Sequence, residues 1–553
     1  MKIIAFDTED NSKGKCFLYD FYDPEIHEHY TFKTQDDALD FVFTKTGYTF
    51  WACNLEYDLN NLFRDIHGLL HYCYAGSRLL SAELKEDKIK FYDTLNHWPM
   101  SVKKMGDRIN LPKLEMKHTG STRVSKKMIE YCRRDTEITG KFVRAMSQIY
   151  HKENIELKMT IASSTLAHFE ENYLYKIEHN FTQEQIDFFH RGYYGGRTEI
   201  FHNKPVTGKI WYHDINSLYP SVMKDNLYPK LEGFYETTNP NLDLSGMAYV
   251  DVEAPTTLSI PYLPFKHEGK LVFPLGRFQS VYTYFELREA QNLGYKIHRV
   301  FRAIEFDQDF DPFSRFVAET YEKRRVAQSS KDELMQITFK NLLNYSYGKY
   351  AQKNESTKLI PLKDTTLKGG DVILGDLIFR KEKIKYPRYA NCVWACYVTA
   401  YARHKLFKAL TQVEKEGALL LYCDTDSVIY ENPTSLIRDS KELGEFKTEN
   451  NGEPFRYAHF KLPKLYVLKT LANSTTYKTK GVPSQHAEEY FTTERIKYKK
   501  PNKLRETLRR NLSPKRTNKL IPNFWETRQK EITGKYNKRI VLKNGSTKPL
   551  IMK

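Results

Sequence analysis

Residues 419–430 read Leu419-Leu420-Leu421-Tyr422-Cys423-Asp424-Thr425-Asp426-Ser427-Val428-Ile429-Tyr430. An apolar run, an acidic pair and a second apolar run predict a β-hairpin with carboxylates at its tip. A lone DxD is ambiguous, because sugar-nucleotide transferases and other metal loops also use it. Earlier in the chain, Tyr212-His213-Asp214-Ile215-Asn216-Ser217-Leu218-Tyr219-Pro220 ends another apolar run on Asp214. Asp214, Asp424 and Asp426 together make a two-metal constellation, in which cations about 3.5–4 Å apart clamp the attacking and leaving oxygens.

Between these segments lies Lys340-Asn341-Leu342-Leu343-Asn344-Tyr345-Ser346-Tyr347-Gly348. On a helix, 340, 344 and 347 share one face at the i, i+4, i+7 spacing. A lysine, an amide and an aromatic ring there can hold a triphosphate beside a base. A surface lysine on an amphipathic helix fits the same spacing.

The N-terminal third carries a second carboxylate set. The strand-like Lys2–Phe6 runs into Asp7-Thr8-Glu9, and residues two apart on a strand point to the same side. Two carboxylates presented together favour an intervening cation. Asn54-Leu55-Glu56-Tyr57-Asp58 and Tyr131-Cys132-Arg133-Arg134-Asp135 add Asp58 and Asp135. The 131/135 spacing puts a phenol and a carboxylate on one helix face. Four carboxylates from three segments suit a two-metal phosphodiesterase, with Tyr131 orienting the water.

Charge placement points to a polyanion. The 553 residues carry a net charge of +17, and residues 491–553 hold 19 Lys and Arg against four Glu and no Asp, which is +15 of that total. A basic element after a nearly neutral body suits nucleic acid. Leu504, Leu508, Leu512, Ile521, Phe524 and Trp525 give it apolar residues to pack, so a folded subdomain is expected. The 39 Tyr and 33 Phe add stacking surfaces. No apolar run reaches the ~20 residues of a membrane span. Seven scattered cysteines form neither a CxxC pair nor a zinc-ligand spacing. The expectation is an intracellular, reduced, soluble protein. Strand-like runs at Ile210–Tyr212, Tyr249–Val252 and Leu419–Tyr422 mix with helical stretches at 317–350 and 394–415. That mixture predicts a multidomain α/β and α+β chain.

In order, DxxSLYP, KxxxNxxYG and YCDTDS resemble motifs A, B and C of family B DNA polymerases. The DxE, NxxxD and YxxxD series resembles their 3′–5′ exonuclease domain. Tyr193-Tyr194-Gly195-Gly196, Thr399-Ala400-Tyr401-Ala402-Arg403, Lys464-Leu465-Tyr466 and Lys480-Gly481 are similar to motifs of the protein-primed branch. That branch serves linear-genome phages, adenoviruses and linear plasmids. The resemblance covers about 1–485. It implies an RNase H-like exonuclease domain at 1–188, then palm and fingers at 189–490 (fingers about 312–350) and a basic thumb at 491–553. The family's two insertions, which contact the terminal protein and encircle DNA, map to about 262–283 and 352–388. In the second, Gly369-Gly370-Asp371 suggests a hairpin turn. The short first insertion leaves strand displacement and processivity open.

The resemblance also implies roles. Asp214 and Asp426 would hold two Mg²⁺ ions, with Mn²⁺ as an alternative, helped by Asp424 and the Ile215 carbonyl. The amides around Ser217 and Leu218 would cradle the dNTP phosphates, with Tyr219 under the sugar and excluding a 2′-hydroxyl. Lys340, with Arg324 or Arg325, would neutralise charge on the phosphates, and Asn344 and Tyr347 would pack on the nascent base pair. Tyr193, Gly195, Gly196 and Arg403 would contact DNA, and Lys464 and Tyr466 would hold the primer terminus. Asp7, Glu9, Asp58 and Asp135 would bind the exonuclease metals, supported by Tyr131 and, across a one-residue gap, Lys113. Thr94 and Leu95 would hold the single strand. A primer-template, a terminal protein, a monomeric state and a host cytoplasm complete the implied setting. The alternatives are a nuclease or repair protein with only the N-terminal site active, and a catalytically silent DNA-binding relative.

Overall fold

The computed structural model describes residues 2–11, 15–64, 66–116, 124–174, 179–432, 439–501, 503, 504, 506, 525–532 and 534–552. The N-terminal domain is organised on the strand Ile3–Asp10, almost wholly buried. It pairs antiparallel with Cys16–Asp23 and parallel with Thr49–Ala52. A strand covered on both faces needs helices above and below. Leu55–Leu62 and the long Lys126–Lys152 supply them, the latter started by the Ser125 side chain, which accepts from the Met128 amide.

This sheet has ten strands, and three come from far along the chain. Glu355–Pro361 pairs with His71–Ala75, and Leu377–Lys383 and Val372–Leu374 extend the edge. Segment 352–388 is therefore an addition to the N-terminal sheet. Its hairpin turn is not at Gly369–Asp371. Leu374 faces Leu377, so the turn is Gly375–Asp376, with Gly375 at φ +63°. Asp371 instead anchors the loop by accepting from Arg380 Nε and Nη2 at 3.0 and 2.8 Å.

A second sheet of eight strands follows the order Thr475–Lys478, Leu465–Thr470, Phe455–Leu462, Val206–Ile215, Ser427–Glu431, Leu419–Asp424, Thr198–Ile200, with Phe446–Thr448 also on Val206–Ile215. The buried helix Cys392–Lys415 backs it. A third sheet takes in Ser245–Ala254 and Leu275–Thr283, which pair from Met247↔Thr283 to Ala254↔Gly276. Within the stretch 262–283, Phe265–His267 and Lys270–Val272 form a small hairpin ahead of the strand Leu275–Thr283.

The helical stretch expected at 317–350 is two helices, Ser314–Ser329 and Glu333–Asn344. The chain reverses between them at Lys331, φ +58°. One apolar core crosses from the N-terminal domain into this region, joining Trp98, Phe142 and Tyr150 to Leu342, Leu343 and Trp394.

The basic element is not one unit. Arg495–Pro501 and Trp525–Glu531 form a two-stranded ribbon. Leu504 is buried in the N-terminal core. Residues 534–552 return to the central sheets, where Ile551–Met552 pairs with Leu275–Thr283. Leu508, Leu512, Ile521 and Phe524 lie outside the described residues.

Candidate active sites

The first carboxylate cluster forms where Ile3–Asp10 ends between two helices. Asp58 is buried and accepts from the Thr8 amide and hydroxyl at 3.0 and 2.8 Å. Asp7 and Glu9 face it from the strand, and Asp135 closes the set from Lys126–Lys152. Burial, then repulsion from Asp58, Glu9 and Asp135, pushes the Asp7 carboxyl well above its usual range. Burial, then Asp135, pushes Glu9 up to about 7. Such a group of acids is held at a loss unless positive charge enters. Lys113 supplies one such charge. It pairs with Asp135, and its ammonium sits 4.4 Å from the centre of the Tyr131 ring.

The sequence reading missed two participants here, Cys132 and Asp93. The ligand atoms of Asp7, Glu9 and Cys132 all lie within 4.8 Å of one another. Cys132 faces inward, packed with Phe17 and Leu18 and with its thiol 3.9 Å from the Asp7 carbonyl, a placement visible only once the helix is docked. Asp93 accepts from the Asn54, Leu55 and Leu95 amides at 3.1, 3.2 and 2.9 Å. It thereby ties the segments carrying Asp58 and Leu95. Leu95 lines a cleft of about 690 Å³ together with Asn54, Tyr57, Lys500 and Lys503, whereas Thr94 is buried behind it.

The second cluster sits at the ends of adjacent strands. Ser427 is in register with Asp214, and the Ile215 amide donates to the Asp426 carbonyl at 2.7 Å. Asp214 and Asp426 are thereby brought side by side. Burial, then Asp426 and Glu449, pushes Asp214 up to about 7. Burial and Asp424 push Asp426 up to about 6. Asp424 is held by the hydroxyls of Thr198 (2.9 Å) and Tyr422 (3.2 Å) and by Lys464 Nζ (3.3 Å). Two raised, half-buried carboxylates with open approach fit divalent cations better than either fits water alone. Thr198 was missed because nothing in three residues of edge strand marks it.

Around this cluster the helix Leu218–Asp225 begins at Ser217, a non-glycine residue at φ +50°. Such strain collects at functional sites. Arg324 Nη1 donates to Ser217 Oγ at 3.2 Å, so Arg324 faces the cluster. Arg325 does not. It pairs with Glu322 on its own helix and is exposed. Lys340 and Asn344 lie on the exposed side of Glu333–Asn344. Tyr347 is beyond the helix end, in the turn Tyr347–Lys349, and reaches the site by stacking on Tyr219.

Other expectations are corrected. Arg403 is buried. It donates to the Tyr194 and Gly195 carbonyls at 2.7 and 3.2 Å and pairs with Glu286 at 2.6 Å. It therefore holds the Tyr193–Gly196 loop from behind and has no exposed charge for DNA. A side chain at Gly196 would strike Thr425, so this glycine serves packing on the acidic turn. Gly195 is exposed with open space beside it. Tyr466 is buried against Tyr422 and Phe460, so its ring supports the strand end, while Lys464 stays exposed.

Residues 103–385 match the family described as DNA polymerase type B, organellar and viral. The chain is 25% identical over 497 residues to the DNA-directed DNA polymerase of Enterobacteria phage PRD1, covering 84% of this chain and 83% of that one. A probable DNA polymerase of Podospora anserina is 27% identical over 337 residues, 52% of this chain and 27% of the relative. The fold superposes on phi29 DNA polymerase complexed with primer-template DNA with a TM-score of 0.73 and 18% identity, across 96% of this chain and 100% of the other. That likeness shows the fold, an RNase H-like N-terminal domain followed by a right-hand palm, fingers and thumb. The chain belongs to the organellar and viral type B DNA polymerases and is a DNA-directed DNA polymerase. Among the described residues no helix is long and apolar enough to cross a membrane.

Proposed function

We propose that the Asp214–Asp426 cluster carries nucleotidyl transfer and the Asp7–Glu9–Asp58–Asp135 cluster carries 3′–5′ proofreading, both with Mg²⁺, Mn²⁺ being able to replace it. The observation that carries this reading is the register that seats Asp214 beside Asp426 while burial raises both acids. Bound cations would activate the attacking oxygen and neutralise the leaving group. The residues supply the rest. Asp214, Asp426 and the Ile215 carbonyl would hold the ions, and Asp424 would brace the site. The amides following Ser217, with Arg324 and Lys340, would receive the triphosphate. Tyr219, fixed by Tyr347, would close the space for a 2′-hydroxyl, and Asn344 would sit by the base pair. Tyr193 and Gly195 would border the template, and Lys464 the primer end. At the first site, Tyr131 and Lys113 would orient the water, and Leu95 would wedge the frayed strand.

The substrates proposed are a primer-template and dNTPs, with a terminal protein supplying the priming hydroxyl to a monomeric enzyme in a host cytoplasm. Incubation with labelled dNTP and Mg²⁺ on a primed template, with and without the terminal protein, tests this. Primer extension and covalent labelling of that protein are expected. Extension without any labelling would remove protein priming. A nuclease with only the first site active predicts neither.

A further inference from the structure

We infer that segment 534–552 is a positioning element of the polymerase site, acting through the strand Thr198–Ile200 on Asp424 and on the strained turn that carries Asp426. The inference rests on the assignment of these aspartates to polymerisation. It starts from the turn. Thr425 is β-branched and has φ +64°, a conformation that persists only where its surroundings impose it. What imposes it is the neighbouring edge. The Thr425 amide donates to the Arg197 carbonyl at 2.7 Å, and the Thr198 hydroxyl donates to Asp424 Oδ1 at 2.9 Å. The turn and one of the aspartates are thus only as well placed as residues 197–200.

Of those residues, Thr198–Ile200 form a three-residue strand at the margin of the eight-stranded sheet. Backbone groups alternate in direction along a strand. The Arg197 carbonyl accepts from the Thr425 amide and the Phe201 amide donates to the Leu421 carbonyl, leaving the groups of Thr198 and Ile200 on the outer side. Among the described residues no further strand pairs along Thr198–Ile200; just beyond it, the Thr547 amide donates to the Phe201 carbonyl at 2.9 Å and the Asn203 amide to the Gly545 carbonyl at 2.8 Å. Side chains of 534–552 take that place. Lys538 Nζ donates to the Thr198 carbonyl at 3.0 Å. The Ile200 amide donates to the Tyr536 hydroxyl at 3.0 Å, and Thr547 Oγ1 donates to the Ile200 carbonyl at 2.9 Å.

A buried charge network fastens the same two segments. Arg197 pairs with Glu199 at 2.5 Å, and Arg539 approaches the other Glu199 oxygen at 3.7 Å. All three are at most 3% exposed. Arg539 also donates to Thr547 Oγ1 and to the Ser259 carbonyl, both at 2.9 Å. A buried carboxylate between two guanidiniums fixes geometry more than it adds stability, and losing one partner leaves charge uncompensated. A polymerase site misplaced by a fraction of an ångström loses rate rather than substrate affinity.

The test uses the full-length chain with Tyr536→Phe, which removes one oxygen, and with Arg539→Gln and Arg539→Lys. Incorporation on a primed template (kcat and dNTP KM), single-strand degradation and thermal unfolding are measured for each. Tyr536→Phe and Arg539→Gln are expected to lower kcat for incorporation on the order of tenfold, with KM within about twofold and degradation unchanged. Arg539→Lys should recover part of the rate. An unchanged kcat, or equal loss of both activities in step with unfolding, would show a plain structural strut and overturn the inference. Asp424→Ala serves as reference. If it leaves incorporation intact, the site assignment itself fails and takes the inference with it.

Discussion

The ring of Tyr219 lies on that of Tyr347, centroids 4.4 Å apart and planes inclined by 29°. Tyr219 lies in the first turn of the helix after Asp214, and Tyr347 follows the helix Glu333–Asn344. Their contact joins the two motifs at the cluster, and it fixes the Tyr219 ring from one side. Tyr219→Val should raise ribonucleotide incorporation relative to dNTP by about tenfold or more, through loss of a steric wall. Tyr347→Ala should do the same more weakly, because Tyr219 remains but is no longer held. Single-nucleotide incorporation with paired rNTP and dNTP measures both, and unaltered selectivity in Tyr219→Val would remove the steric role.

Arg324 and Arg325 are adjacent but point differently. Arg324→Ala should raise the dNTP KM by roughly tenfold, the loss of one charge-assisted contact to phosphate. Arg325→Ala should stay within about twofold, since only an exposed pair with Glu322 is lost. Steady-state kinetics on a primed template separates them, and the reverse order would put the wrong guanidinium at the site.

Arg403→Gln strands Glu286 in the core. The expected loss is about 3–5 kcal/mol of stability, read as a lower unfolding midpoint. The salt slope of DNA binding should not change, because no phosphate contact is removed. A shallower slope would mean that Arg403 reaches DNA after all.

His97 is fully buried between Trp51 and Trp98, and burial pushes its imidazole down to about 4. The unfolded chain binds a proton near pH 6.5, and the folded chain does not until near 4. Its contribution is therefore intact above pH 6.5 and is lost as pH falls from 6.5 to 4, on the order of 3 kcal/mol in total. The buried Asp7 and Asp58, whose carboxyls are raised, act in the opposite sense. Denaturant unfolding of wild type and His97→Phe across that interval isolates the histidine. Parallel pH curves would show that it does not titrate with folding.

The strand carrying Asp7, the strand ends carrying Asp214 and Asp424, and the helix spacing of Tyr131 and Asp135 were legible because period and turn chemistry are local, although the first strand runs on to Asp10 rather than stopping at Phe6. The division of 317–350 at Lys331 was not, since both halves are good helix and the reversal is set by packing. Arg403 read as a DNA contact because sequence shows charge but not depth. Its partner Glu286 is 117 residues away. The +15 of the last 63 residues marked a basic element, but pairing of Ile551–Met552 with Leu275–Thr283 is a long-range event that leaves no local sign. Likewise nothing near residue 355 indicates that this segment extends a sheet begun at residue 3.

The central claim is that two separate carboxylate clusters carry two separate reactions. Asp426→Ala and Asp7→Ala, each assayed for primer extension and for degradation of a labelled single strand in Mg²⁺, test it most directly. Asp426→Ala should lose extension by several orders of magnitude and keep degradation, and Asp7→Ala should do the reverse. Loss of both activities in either variant, with the fold intact, would contradict it.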